Sequence, residues 1–314
     1  MTLPPAGSQK KDLFSREDYL APPAIPTGQP PRDVLNTIWR KNEVFLDIGE
    51  YSIGSFVMIA WPMILLLLAM GVPFRESLPE FSLFILIAGL IIVGIPSSFV
   101  LYSLTQPVPP PTRFNRQRLE VCVPQKDGSY WIVPWETVVA QAIAMDSVGR
   151  HGKTTQGMLV VGFKNPDPNA KEGERDCSMG FSCGGGTTAM CLWECIRSYM
   201  EIGPEAVPKC HFEGEKTGRS LLGWFLSIMG DTIRSLLKGN VKSALKDVFF
   251  TFFLGAPLGF YLQERKLIPP PDLTDPAIVE WSKPLPPEQW AKRSPEWDEA
   301  IRHREVELAG EAAT

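Results

Sequence analysis

Six cysteines, three histidines and one glycine run are the parts of this 314-residue chain best suited to chemistry, and their spacing decides what they can do. Cys191 and Cys195 lie one helical turn apart, and Cys210-His211 would complete a four-ligand zinc set. That spacing matches no standard zinc module, and Trp193 and Ile196 mark a packed helix in which free cysteine acts as a small apolar residue. With Cys122, Cys177 and Cys183 they lack the density of a secreted disulfide scaffold, so we read all six as reduced thiols. CGGGT at 183–187 opens a helix whose amides could cradle phosphate, but the Lys-Ser/Thr pair of a P-loop is missing. His151, His211 and His303 fall in no serine or cysteine hydrolase motif. These residues predict no cofactor, no metal and no turnover chemistry.

Side chains of binding rather than catalytic character gather at 113–136, in RFNRQRLEVCVPQKDGSYWIVPWE. Arg113, Arg116 and Arg118 suit an anionic leaflet, where each cation contributes about 1 kcal/mol. They equally suit topology determination and strand-edge charge. With Trp131, Trp135 and Glu136 they are the candidate lipid or partner contacts. The net charge of −4 gives no nucleic-acid footprint.

The position of this motif depends on two apolar runs. Between Glu50 and Arg75 lie 24 uncharged residues, YSIGSFVMIAWPMILLLLAMGVPF, and after Glu80 another uncharged run begins FSLFILIAGLIIVGIPSSFVLYSL. Each exceeds the roughly 20 residues needed to cross the hydrocarbon, and each is apolar on every face. We read both as transmembrane helices. The first starts behind Asp12, Glu17 and Asp18, a layout unlike a cleaved signal peptide. Arg32, Arg40 and Lys41 precede the hairpin and the 113–118 arginines follow it, whereas the loop FRESLPE holds only Arg75; both flanks are therefore expected in the cytoplasm. Neither helix carries an ionisable residue for a proton relay, so the pair reads as an anchor.

After the hairpin, alternation at Phe114, Leu119, Val121 and Val123, a Lys-Asp-Gly turn and YWIVPWE predict a β-hairpin, with Pro134 at an edge or bulge. ETVVAQAIAM reads as a short helix or turn leading to a strand, and TTQGMLVVGF as a strand. TAMCLWECIRSYMEIGPE has helical period and is halted by Gly203-Pro204. A few strands and one terminal helix outline a pleckstrin-homology-like split β-barrel. The helical hairpin followed by RFNRQR, DGSYWIVPWE and WECIRSYMEIGP resembles an uncharacterised family of bacterial inner-membrane proteins often found beside type VI secretion toxin genes. The resemblance covers residues 30–210 and carries over no catalytic residue. It implies an inner-membrane location and a cognate secreted toxin as partner.

SLLGWFLSIMGDTIRSLLKG is an amphipathic helix that lies in the membrane interface or packs on the soluble domain. DVFFTFFLGAPLGFYLQERK has only 16 uncharged residues between Asp247 and Glu264, interrupted by Pro257, which fits a re-entrant or interfacial segment better than a crossing. Five regions result: a mostly disordered cytoplasmic N-terminal region (1–50), a transmembrane hairpin (51–105), a cytoplasmic α+β domain (106–212), amphipathic and interfacial or re-entrant helices (213–266) and a proline-rich tail (267–314) with a short helix near 295–309. The expected function is a membrane-anchored, non-enzymatic binding protein with both termini cytoplasmic. It is either an immunity protein against a type VI toxin or an adaptor whose cytoplasmic domain binds a protein or anionic lipid.

Overall fold

A computed structural model describes residues 4–34, 36–51, 53–149, 152–185, 187–211 and 218–313. In chain order the first elements are strands β1 (Gln9–Lys11), β2 (Ser15–Ala21), β3 (Ile38–Lys41) and β4 (Phe45–Ile48), then helices α1 (Ile53–Gly71), α2 (Pro79–Gly89) and α3 (Ile95–Thr105). Strands β5 (Thr112–Asn115), β6 (Glu120–Pro124), β7 (Tyr130–Pro134), β8 (Val139–Gly149), β9 (Gly152–Lys164) and β10 (Asp176–Gly184) follow. The remaining helices are α4 (Thr188–Glu201), α5 (Leu221–Leu237), α6 (Val241–Val248), α7 (Ala256–Leu267), α8 (Pro276–Trp281) and α9 (Pro295–Ala313). The chain divides into two compact units, one of Met1–Glu50, Pro110–Glu213 and Asp272–Thr314, the other of Tyr51–Pro109 and Gly214–Pro271.

The first unit is α+β, with two five-stranded antiparallel sheets ordered β1-β2-β8-β9-β10 and β3-β4-β5-β6-β7. The β6–β7 hairpin forms around Lys126-Asp127-Gly128, and Pro134 ends β7, an edge strand, where its missing N–H disturbs no ladder. RFNRQRLEVCV is two strands rather than one. The Asn115 side-chain oxygen accepts from the backbone N–H groups of Gln117 and Arg118 at 3.1 and 3.2 Å, an Asx turn that folds β6 back on β5. ETVVAQAIAM is the expected turn leading to a strand, with the strand taking up most of it: a single 3₁₀ turn at Trp135–Thr137 leads into the 11-residue β8, which pairs along its whole length with β9.

Helix α4 is buried nearly all round, with Leu192, Trp193, Cys195, Ile196 and Tyr199 fully enclosed. It packs against β8, β9 and β10 of one sheet and β5 of the other, so Trp193 stacks on Trp135 at 5.5 Å and Trp135 meets Phe114 edge-on at 6.2 Å. Both terminal regions belong to this unit. Residues 9–21, expected to be disordered, supply β1 and β2, and β2 pairs with β8 from Ser15↔Met145 to Ala21↔Ala140. The tail carries α8 and α9, and Arg304 of α9 donates through Nε to the Ala6 carbonyl at 2.6 Å.

The second unit is helical. Ile53–Gly71 and Pro79–Thr105 are both long and apolar enough to cross a membrane. In the latter, a π turn at Leu90–Gly94 precedes Pro96 and absorbs the hydrogen bond that proline cannot make. Helix α7 packs on α1 through glycines: a Cβ at Gly259 would sit 3.1 Å from the Gly54 carbonyl oxygen, and one at Gly255, at φ +65°, 2.7 Å from the Trp61 ring. The Trp61 indole N–H donates to the Phe252 carbonyl at 3.0 Å. Between α6 and α7 the axis bends by 69°, a broken span or a re-entrant loop.

Candidate functional site

The RFNRQR and VPWE motifs lie on β5, on the turn after it and on the segment between β7 and β8, all in the α+β unit. Arg113 is 3% exposed. Its register partner across the β4–β5 pair is Asp47, which shortens the reach of a bidentate pair: Nε to Oδ1 is 2.6 Å and Nη2 to Oδ2 is 2.7 Å. The remaining donors are taken as well, Nη2 by Asp272 Oδ1 at 2.7 Å and Nη1 by Ser282 Oγ at 2.8 Å, while the guanidinium lies 3.7 Å from the Phe45 ring centre. Arg40 adds a second cation, 3.0 Å from Asp272 and 3.5 Å from Asp47. Burial pushes the Asp47 carboxyl up against the pull of Arg113 and Arg40. Burial would lower the Arg113 pKa, but Asp47 and Asp272 raise it, so the guanidinium stays charged.

The other motif residues grip the tail. Arg118 Nε donates to the Trp281 carbonyl at 2.9 Å, and Arg116 sits over the Trp290 ring at 5.4 Å while donating to the Ile202 carbonyl. Between them Gln117 accepts from Leu285 N through its side chain, at 2.7 Å, and from Ala291 N through its backbone, at 2.8 Å. Both Glu136 carboxylate oxygens bind Ser294, one its N–H at 2.7 Å and the other its hydroxyl at 2.8 Å. Trp135 is buried and donates from Nε1 to Glu201 at 2.7 Å, and Glu201 also takes Arg293 at 2.6 Å. Trp131 is half-buried on β7. Five of the six sequence-selected residues thus make hydrogen bonds or ion pairs within the unit, three of them to the segment 272–294, which Arg116 also meets by lying over the Trp290 ring. Sequence reasoning missed that segment's own contributions, Asp272, Trp281 and Ser282, and also Asp47. The acids and tryptophans spaced among the tail prolines were the available signal, and composition alone made them a linker.

The cysteines do not converge. Among the described residues no group of three or more His, Cys, Asp or Glu side chains is placed to hold a metal. Burial pushes the Cys122 thiol up to about 12 and Cys183 up to about 11, and raises Cys195 further, which leaves them weak nucleophiles. Cys210 donates to the Ile38 and Trp39 carbonyls. CGGGT joins β10 to α4, with Gly186 outside the described residues, as is His151. Comparison of the chain with protein-family models, curated proteins and solved structures returns no match.

Proposed function

We propose that this is a membrane-anchored binding protein without turnover chemistry, held in the bacterial inner membrane with both termini in the cytoplasm. The observation that carries the reading is the point of insertion. Strands β4 and β5 are paired neighbours, Asp47 opposite Arg113, and the whole segment 51–109 departs after one and returns at the other. The anchor is therefore a loop insertion in a sheet, not an appendage at a terminus. The strand order supports a pleckstrin-homology-like core: β4-β5-β6-β7 as one meander, β8-β9-β10 as the second, α4 as the closing helix, and β1–β3 added at the edges. The excess of arginine and lysine on the flanks over the loop at 72–78 supports the orientation. A reporter active only outside the cytoplasm should signal when fused at Ser77 and stay silent at Gly128 and Thr314; a signal at Gly128 would reverse the topology.

The particular partner we propose is a secreted toxin acting at the inner membrane, on the resemblance of residues 30–210 to proteins found beside type VI toxin genes. Expression of the chain should then rescue cells producing the toxin encoded by the neighbouring gene. Equal killing with and without it would leave the adaptor reading, in which the α+β unit recruits a protein or anionic lipid.

A further inference from the structure

The helical unit contains a second basic, amphipathic element that the anchor does not need. Helices α5 and α6 are joined by the short turn at Lys238-Gly239-Asn240 and run antiparallel, so that Phe225 near the start of α5 meets Phe252 just beyond α6 at 6.0 Å. On α5 the exposed apolar residues Leu222, Leu226, Ile233 and Leu237 recur at helical spacing. On α6 the exposed series is Val241, Leu245 and Val248, and the turn after it exposes Phe249, Phe250, Phe252 and Phe253. Each helix buries one small residue about a quarter-turn from its stripe, Thr232 on α5 and Ala244 on α6. In an antiparallel pair that shared offset brings both stripes to one side of the hairpin.

The cations of α6 lie beside the Val241, Leu245 and Val248 stripe rather than within it. Lys238, Lys242 and Lys246 follow at four-residue intervals and are all exposed. Among the described residues none of the three is assigned an ion pair, and Lys246 lies 5.6 Å from the Phe250 ring. Like charges at i, i+4, as for Lys242 and Lys246, disfavour a helix unless anions stand opposite them.

Depth along α1 fixes where this hairpin meets the bilayer. The Trp61 indole ties α1 to the Phe252 carbonyl, and Trp61 lies eight residues after Ile53, or about 12 Å at 1.5 Å per residue. The first turns of α1 are enclosed at Ile53, Gly54, Val57 and Ala60, and side chains open to the surroundings begin with Ile59. Ile53–Gly71 needs nearly all of its 19 residues to cross about 30 Å of hydrocarbon, so Trp61 and the Phe252 end of the hairpin lie within the leaflet on the Ile53 side. A hairpin fastened there at its Phe252 end, with an apolar stripe on each helix and lysines at the α5–α6 turn and along α6, has the arrangement of an interfacial element seated in one leaflet.

We infer that α5–α6 lies in one leaflet as an interfacial hairpin and that Lys238, Lys242 and Lys246 bind the phosphate headgroups of anionic lipids. This rests on the membrane-anchor reading. It moves lipid recognition from the 113–118 arginines, which the fold uses internally, to the lysines. The 69° bend then belongs to a re-entrant elbow rather than to a third crossing.

The test uses the full chain with Cys177→Ser, since the other five cysteines are buried, in nanodiscs of phosphatidylcholine with or without phosphatidylglycerol. Spin labels at L66C, L245C and K242C are read by accessibility to oxygen and to a water-soluble nickel chelate. With phosphatidylglycerol, the labels at 66 and 245 should be oxygen-accessible and chelate-shielded, and the label at 242 chelate-accessible. A chelate-accessible label at 245 in both lipids, with 66 shielded, overturns the inference and leaves the anchor intact; exposure at 66 as well overturns the anchor reading. Lipid copurified from mixed membranes should be several-fold enriched in phosphatidylglycerol and should return to the bulk ratio in the K238Q/K242Q/K246Q variant. Enrichment unchanged by those substitutions overturns the role of the lysines.

Discussion

Two sets of cations each adjoin an apolar segment, and the fold treats them oppositely. Arg113, Arg116 and Arg118 are turned into the α+β unit, where the first holds two carboxylates and a hydroxyl and the others hold the tail. Lys238, Lys242 and Lys246 stay exposed on the helical unit. The residue types explain the division. A guanidinium is a planar fork of five donors that can satisfy several fixed acceptors while buried, whereas an ammonium is a hydrated point charge on a flexible stem. Proximity to an apolar helix in sequence does not distinguish the two; the presence of Asp47 opposite Arg113 does.

The sharpest way to break this contrast is Arg113→Met. It would leave Asp47, fully buried, without its bidentate partner, and removal of one member of a buried pair costs about 3–5 kcal/mol. Denaturant unfolding of the purified full-length variant, followed by tryptophan emission, should show a midpoint lowered accordingly. Adding Asp47→Leu should recover much of the loss, because the orphaned charge goes with its partner. An unchanged midpoint in the single variant would mean that the cluster does not hold the unit together.

The cluster also shows why part of the fold was readable and part was not. The two long apolar helices announce themselves by unbroken apolar length, the β6–β7 hairpin by its Lys-Asp-Gly turn, and α4 by the period of Leu192, Trp193, Ile196 and Met200. Each is a local signal. Asp47 and Arg113 are neighbours in space but separated by the entire hairpin, and β2 finds β8 more than a hundred residues away. Pairing at that distance leaves no periodicity in either segment. The tails misled for a related reason: prolines fit a docked extended segment as well as a free one, and only the partners at Gln117, Glu120 and Glu136 separate the two. At the site, the selected residues find their partners within the chain, since charge and aromatic content mark a contact surface without naming what covers it.

Trp135→Phe should have the next largest effect. It keeps an aromatic ring against Phe114 and Trp193 but removes the 2.7 Å hydrogen bond to Glu201. A buried hydrogen bond to a charged group is worth about 1.5–3 kcal/mol, so the same unfolding experiment should register a loss near 2 kcal/mol. Arg293→Ala, which removes the other partner of Glu201, should add less than its own separate cost when combined with it, because the two share one carboxylate.

Acid should act on the same unit through Glu194. Burial raises its pKa, but the hydrogen bonds and charge of Arg197 and the donors of Thr27 outweigh burial and hold it below the ordinary carboxylate value. A depressed folded pKa means that this stabilisation is complete above the ordinary carboxylate range and is lost as pH falls through the folded value. Stability measured down from neutral pH should therefore decline on the acid side, and Glu194→Gln should flatten that decline while lowering stability at pH 7. An equally steep acid limb in the variant would assign the loss to other carboxylates.

The smallest effect on stability should come from the second set of cations. Each of Lys238, Lys242 and Lys246 is exposed, and surface substitutions of this kind fall within about 0.5 kcal/mol. Removing three repelling charges from adjoining turns should, if anything, favour the helices slightly. K238Q/K242Q/K246Q should thus unfold with the parent protein in neutral detergent, where no anionic headgroup is present. In anionic membranes the same variant should part from the parent, because whatever binds the folded state stabilises it by mass action. A midpoint difference that appears with phosphatidylglycerol and disappears in phosphatidylcholine would separate a contact made outside the protein from one made within it. Arg113→Met, whose partners are all internal, should show the same deficit in both lipids.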